Sequence, residues 1–298
     1  MTTVEINDGD ARCARTLGAT QVGSVALGCA ALTLDHHGDR ARGAAVIAAA
    51  LEAGITLLDT AAAYATADGA HANELLIRDT LAARRSDAPR PLVMTKGGHY
   101  REGDAFPIDG RPATLRRQCT ESLAALGVER IDLYFLHWPD PEVPIEESVG
   151  ALDELRREGK IARIGVSNVG LAELDAARRA APIAAVQNHF SLFDRSGGDV
   201  LDRCASTGIA YLAYSPLRGL AQAPPELAAR LGGIADVHGV HAARIALAWL
   251  LARSPALIPV VGATRPETVR DSAAAGALEL GSSELDALDD ALGATTLG

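Results

Sequence analysis

The stretch Ile131–Asn168, IDLYFLHWPDPEVPIEESVGALDELRREGKIARIGVSN, spells out one complete unit of structure. A largely apolar run, Ile131–Leu136, is followed by a turn. Ile145–Glu158 then carries apolar residues at three- and four-residue spacing and stops at Gly159, and a second apolar run follows at Ile161–Val166. Runs that are apolar nearly throughout, rather than at alternate positions, suit strands of a parallel sheet covered on both faces. A glycine directly after a helical pattern marks the favoured helix stop.

The same unit recurs on either side. Further apolar runs occur at Ser24–Leu27, Ile55–Leu58, Leu92–Thr95, Ala184–Val186, Ile209–Ala213 and Leu257–Val261. Helical patterns occupy Ala41–Ala53, Asn73–Arg85 (with basic residues expected at its end), Pro112–Leu126, Leu171–Ala180, Val200–Thr207, Ala242–Arg253 and Pro266–Ala275. Eight strands alternating with eight helices over about 270 residues predict an α/β fold of the (β/α)8 TIM barrel type. Ser282–Leu292 reads as an extra C-terminal helix outside it. No linker divides the chain, so residues 1–298 are expected to form a single domain with its core at about 16–280. The rival, a doubly wound sheet, would carry a glycine-rich GxGxxG turn after its first strand, and none occurs.

Composition narrows the function classes. Lys and Arg total 28 against 38 Asp and Glu, a formal net charge of −10. That balance disfavours a nucleic-acid surface, which needs a basic stripe, and a polybasic membrane anchor. Hydrophobic residues make up 48%, enough for a folded core, yet no apolar stretch approaches the roughly 18 to 20 residues that span a bilayer. The first ten residues do not read as a signal peptide. Cys13, Cys29, Cys119 and Cys204 show no CxxC spacing, and reduced thiols in a cytoplasmic protein are the expectation.

In this barrel type, ligands meet the C-terminal ends of the strands, so polar residues there carry the information. The second predicted strand ends at Asp59, with Tyr64 shortly after; the third ends at Lys96 and the fourth at His137. Each alone has a structural reading: an ion pair, a loop tyrosine, a core histidine. All four at one rim suit proton transfer to a carbonyl oxygen. A phenol of pKa about 10 is a weak acid at neutral pH, and a nearby ammonium favours its phenolate. Lys96 is expected to lower the Tyr64 pKa, with Asp59 opposite it to hold the ammonium. A neutral His137 would orient the oxygen by a hydrogen bond. Ser167, Asn168 and Gln187, ending the fifth and sixth strands, could donate to and accept from a carboxamide. Gly262, Thr264 and Arg265 form a turn into a helix N-terminus, a ready anion site.

The segment Gly54–Ala61 with Tyr64, the segment Leu133–Pro139 and the segment Leu155–Asn168 resemble the signatures of the aldo-keto reductase family, in its compact bacterial form. The resemblance implies reduction of an aldehyde or ketone by NADPH, with NADH not excluded, and a small-molecule carbonyl as partner. Asp59, Tyr64, Lys96 and His137 would be the catalytic tetrad, with Tyr64 as proton donor. Ser167, Asn168 and Gln187 would hold the nicotinamide amide, Tyr214 would stack on its ring, and Ser215 and Leu217 would meet the pyrophosphate, with Arg218 adding charge. Gly262, Thr264 and Arg265 would bind the 2′-phosphate. Here the chain departs from the family: Thr268 stands where Arg or Lys is common and Asp271-Ser272 where Glu-Asn is usual, with Arg270 as a possible compensation. Candidate substrate contacts are Cys29 to Leu32, His99, Tyr100, Trp138 and the predicted loop Arg218–Gly233. The loops His36–Arg40 and Gly98–Gly110 are expected on the same face. Two other classes stand beside the reductase: a non-catalytic NADPH-binding regulatory subunit, and a metal-dependent barrel enzyme. The HxxH spacing at His238 and His241 lacks partners apart from Asp236, so no metal site is expected.

Overall fold

Eight parallel strands close into a barrel in the computed structural model, which describes residues 14–34, 39–66, 69–84, 89–103 and 105–293. Cys13 and the pair His36–His37 lie outside the described residues. A short antiparallel hairpin comes first, β1 (Arg15–Leu17) and β2 (Thr20–Val22). The barrel strands are β3 (Ala26–Gly28), β4 (Leu57–Asp59), β5 (Leu92–Gly97), β6 (Leu133–Leu136), β7 (Ile164–Ser167), β8 (Ile183–His189), β9 (Ala210–Tyr214) and β10 (Leu257–Gly262). Each pairs with the next in sequence, and β10 returns to β3 to close the ring.

The helices between them are α1 (Ala31–Leu34), α2 (Arg40–Glu52), α3 (Ala72–Ala83), α4 (Pro112–Leu126), α5 (Ile145–Arg157), α6 (Leu171–Ala180), α7 (Gly198–Thr207), α8 (Pro225–His238), α9 (Ala242–Arg253) and α10 (Pro266–Ala273), followed by α11 (Ser282–Gly293) outside the barrel. Glycines Gly127 and Gly208 adopt the left-handed conformation that ends α4 and α7, at φ of 66° and 69°. No single helix among the described residues is long and apolar enough to cross a membrane.

One element carries no sequence signal, and two expectations need correction. The N-terminal hairpin is silent in the sequence, because its strands are three residues each and carry no apolar run. Leu17 and Val22 from it pack into the same cluster as the barrel interior and plug the end remote from the strand C-termini. The stretch Arg218–Gly233 is not one loop: Leu220–Gln222 forms a 3-10 turn, and α8 begins at Pro225. The Pro224-Pro225 pair reads as loop, yet proline suits the first turn of a helix, where its missing N–H has no partner to lose. Finally, α3 ends at Ala83 with no basic residue in its last turn.

Two separate apolar clusters reveal which way each strand residue faces. Ala26, Leu57, Met94, Phe135, Ala185, Leu212 and Val260 share the inner cluster, whereas Leu27, Leu58, Val93, Leu136, Val186, Ala213 and Val261 pack in the outer layer against the helices. Side chains alternate along a strand. The residue two places beyond each inner member therefore faces inward again, one layer nearer the mouth.

Candidate active site

That rule selects Gly28, Asp59, Lys96, His137, Gln187, Tyr214 and Gly262 from seven strands. Gly165 of β7 is also inward, since a Cβ on it would stand 2.3 Å from the Phe135 ring, and it brings Ser167 to the same level. These residues form the ring at the mouth. All but Lys96 line a groove of about 900 Å³ that runs over the barrel end. Lys96 lies beneath, wholly buried.

The Lys96 ammonium donates to both oxygens of Asp59 at 2.8 Å, to the Thr60 carbonyl at 2.9 Å and to the Tyr64 hydroxyl at 3.4 Å. Gln187 Nε2 also donates to Asp59 Oδ1, at 2.8 Å. Burial disfavours the charged lysine, but the Asp59 carboxylate and the Tyr64 oxygen outweigh it, and the Lys96 pKa is raised. The expected lowering of the Tyr64 pKa is not what the balance gives. Burial pushes the phenol up, Lys96 pulls it down, Asp59 adds to the rise, and the net direction is upward. The sequence could place the ammonium but not the desolvation that opposes it.

His137 is pushed well below the ordinary imidazole value, first by burial and then by Lys96 and His99, so it is neutral. Its Nδ1 is buried without a hydrogen-bond partner among the described residues. The Tyr64 and His137 rings meet edge-on, 5.9 Å between centroids. His99 packs edge-on to His137 at 4.9 Å and turns Nε2 to the Phe106 carbonyl, 2.8 Å away. Trp138 lines the groove and is 38% exposed. Cys29 does not line it: the thiol is fully buried in the outer layer and contacts the Leu27 carbonyl. As the residue after the inward Gly28, it points toward the helices. Ala30 and Ala31 line the groove in its stead.

A polar strip runs along the opposite wall. Ser167 Oγ donates to the Gln187 carbonyl at 2.6 Å, and Asn168 Nδ2 reaches the His137 carbonyl at 3.0 Å and Ser167 Oγ at 3.1 Å. Tyr214 donates its hydroxyl to Asn168 Oδ1 at 2.8 Å. Asn168 and Ser215 both hold positive φ, 59° and 50°. For residues other than glycine this conformation is uncommon and is found concentrated at ligand sites. Leu217 and Arg218 continue the wall.

Around Gly262 the surface is open, with no atom of the described residues within 4 Å of a Cβ placed there. Arg265 precedes α10 and lies 3.5 Å from Glu267 in an exposed pair. Arg270 and Asp271 have other partners: Arg270 pairs with Glu52 of α2 at 3.0 Å, and Asp271 pairs with Arg244 of α9. Arg42 carries no sequence signal for this site, since it lies in the first turn of α2, 222 residues from Thr264 in the chain. Its Nε donates to the Thr264 carbonyl at 2.8 Å, which brings a second guanidinium to this turn. His238 ends α8 with Nε2 2.8 Å from Glu284 of α11, a partner the sequence did not suggest. No cluster of three or more candidate metal ligands occurs among the described residues.

The family model described as the aldo/keto reductase family matches residues 24–292. A soybean (Glycine max) protein described as a probable aldo-keto reductase is 32% identical over 91% of this chain and 86% of its own length. Among solved structures, the glycerol dehydrogenase of Gluconobacter oxydans superposes with a TM-score of 0.86 at 30% identity, covering 95% of this chain and 96% of its own. An aldo/keto reductase of Klebsiella pneumoniae in complex with NADP and acetate gives 0.79 at 28% identity, covering 94% of each chain.

Proposed function

The chain belongs to the aldo/keto reductase family and is an NAD(P)H-dependent oxidoreductase, and from that premise we propose that it reduces an aldehyde or ketone to the alcohol with Tyr64 as proton donor. The observation that carries this reading is the Tyr64 hydroxyl 3.4 Å from an ammonium that is itself pinned by Asp59.

The residues fit a nicotinamide dinucleotide. Ser167, Asn168 and Gln187 offer amide and hydroxyl groups on one wall, the Tyr214 ring offers a flat half-buried face, and the open turn at Gly262 has Arg42 and Arg265 beside it. NADPH is the cofactor this set favours, because two guanidinium groups suit a phosphate. It supplies the hydride when bound.

The chain's own groups do the rest. A raised pKa keeps Tyr64 in its phenol form at neutral pH, loaded with the proton the alcohol needs. As that proton leaves, negative charge develops on the Tyr64 oxygen within reach of Lys96, and the ammonium stabilises it there. Asp59 keeps Lys96 charged and aimed. His137 lines the groove as a neutral imidazole, and its ring can orient the carbonyl oxygen by a hydrogen bond. General acid assistance of this kind is worth about 10² to 10⁴ in rate.

The Gluconobacter relative is named for glycerol, which puts small polyol-derived carbonyls first in the test panel. The assay is loss of NADPH absorbance with such a panel. Consumption that requires both carbonyl and Tyr64 supports the reading, and wild-type turnover in Tyr64→Phe sinks it.

A further inference from the structure

Tyr64 poses a problem that the barrel does not solve. The ring residues at the mouth are held by strand pairing, but Tyr64 lies five residues past β4, in a turn whose own bond is Tyr64 N–H to the Ala61 carbonyl at 3.0 Å. What anchors that turn is found one layer behind the groove, at Asn73.

Asn73 is the second residue of α3 and fully buried. Its Nδ2 donates to the Cys29 carbonyl at 2.7 Å and to Thr33 Oγ1 at 2.9 Å, and its Oδ1 accepts from Thr60 Oγ1 at 2.6 Å. The carbonyl of Cys29 can only accept, which dictates the orientation of the amide. Every one of these partners makes one further bond toward the reacting groups. Thr33 Oγ1 donates onward to the Tyr64 carbonyl at 3.1 Å. Thr60 presents its carbonyl to Lys96 Nζ at 2.9 Å. The Cys29 N–H donates to the Asp59 carbonyl at 2.9 Å. One side chain thus ties together the backbones that carry Tyr64 and Asp59 and the carbonyl that receives Lys96, while touching none of the reacting atoms.

We propose that Asn73, acting through Thr33 and Thr60, is a positioning residue that sets the separation between the Tyr64 hydroxyl and Lys96. The inference rests on the reading of Tyr64 as proton donor. Asn73→Ala strands three buried polar groups and costs stability whatever its role, so the deciding pair is at Thr33. Thr33→Val keeps the volume and removes the bond to Tyr64, whereas Thr33→Ser keeps the hydroxyl.

The expected result is a fall in kcat of about tenfold to a hundredfold in Asn73→Ala and Thr33→Val, with recovery in Thr33→Ser, as displacements near 1 Å typically cost this much. The Kd for NADPH, read by tryptophan fluorescence, stays within about twofold, because no contact to the groove is lost. The pH profile of alcohol oxidation moves to higher pH, since a phenol farther from Lys96 loses the charge that favours its phenolate. Crystals of Thr33→Val show Tyr64 Oη farther from Lys96 Nζ than in the wild type. The inference is overturned if Thr33→Val matches Thr33→Ser and wild type in kcat and pH profile, or if the Tyr64–Lys96 separation is unchanged in its crystals. Loss of turnover in Tyr64→Phe together with unaltered Thr33→Val discards the positioning role alone. Wild-type turnover in Tyr64→Phe discards the proton-donor reading and this inference with it.

Discussion

Lys96 grips both carboxylate oxygens of Asp59 at 2.8 Å from a position with no solvent exposure, and it does so directly beneath the Tyr64 hydroxyl. A charge pair in that setting serves stability and chemistry by different routes. Removing one partner leaves the other charged in a site that cannot solvate it, which typically costs about 3–5 kcal/mol, whereas removing both need not. Asp59→Asn and Lys96→Met should each lower the denaturation midpoint in urea. The double variant should be more stable than the sum of the singles predicts, while all three lose carbonyl reduction. An additive double variant would mean the pair is not coupled.

Tyr64→Phe removes a single oxygen whose bond in the described residues is the long one from Lys96. Its expected signature is a kcat lower by about 10² to 10⁴, the range for lost general acid help. The Kd for NADPH and the melting temperature should stay close to wild type, since the ring and its contact with His137 persist.

Cofactor preference should depend on the guanidinium groups at the turn after β10. Arg265→Ala is expected to weaken NADPH binding by about tenfold, the worth of one hydrogen bond to a charged group. NADH binding should change little, because it lacks the 2′-phosphate. Titration calorimetry with each dinucleotide checks this. Equal losses for both would place Arg265 elsewhere on the cofactor.

His71 predicts a pH-dependent stability away from the groove. It caps α3 in the left-handed conformation at φ 57° and meets the fully buried Glu74 at 2.5 Å, with Glu121 at 3.7 Å. The Glu74 hydrogen bond raises its pKa above 6.5, against the opposing effect of burial. A raised folded value means the protonated form is favoured by folding. Its contribution is therefore complete below pH 6.5 and is lost as the pH climbs through the folded value. His71→Asn retains a residue that tolerates this backbone and removes the titration. The gap in melting temperature between wild type and His71→Asn should be wide at pH 5.5 and narrow at pH 9. A gap that widens with pH would reverse the assignment.

The site was legible to different depths. Asp59, Lys96, His137, Gln187 and Tyr214 could be named because each ends an apolar run whose alternation carries it inward, two places beyond a core residue such as Leu57, Met94 or Phe135. Cys29 departs from its expected place because the same alternation, counted from Ala26, sends Gly28 inward and Cys29 out. Arg42 carries no signal, being one of two arginines in the first turn of α2, and Asn73 reads as no more than the start of a helix. Arg270 and Asp271, which only the family resemblance assigns to the cofactor, pair with Glu52 and Arg244 from other helices, partners no local pattern reveals.

The amino-acid sequence by itself determined the eightfold strand–helix order, the positions where most helices stop and the residue types that gather at the barrel mouth. These follow from local rules: period two in strands, period 3.6 in helices, glycine at left-handed ends. Tertiary structure alone decided how far each group is desolvated and which distant partner it meets. Burial outweighs Lys96 at the Tyr64 phenol, and Asn73 binds the turn that carries Tyr64, because both effects depend on atoms brought together by closure of the ring and not by neighbourhood along the chain.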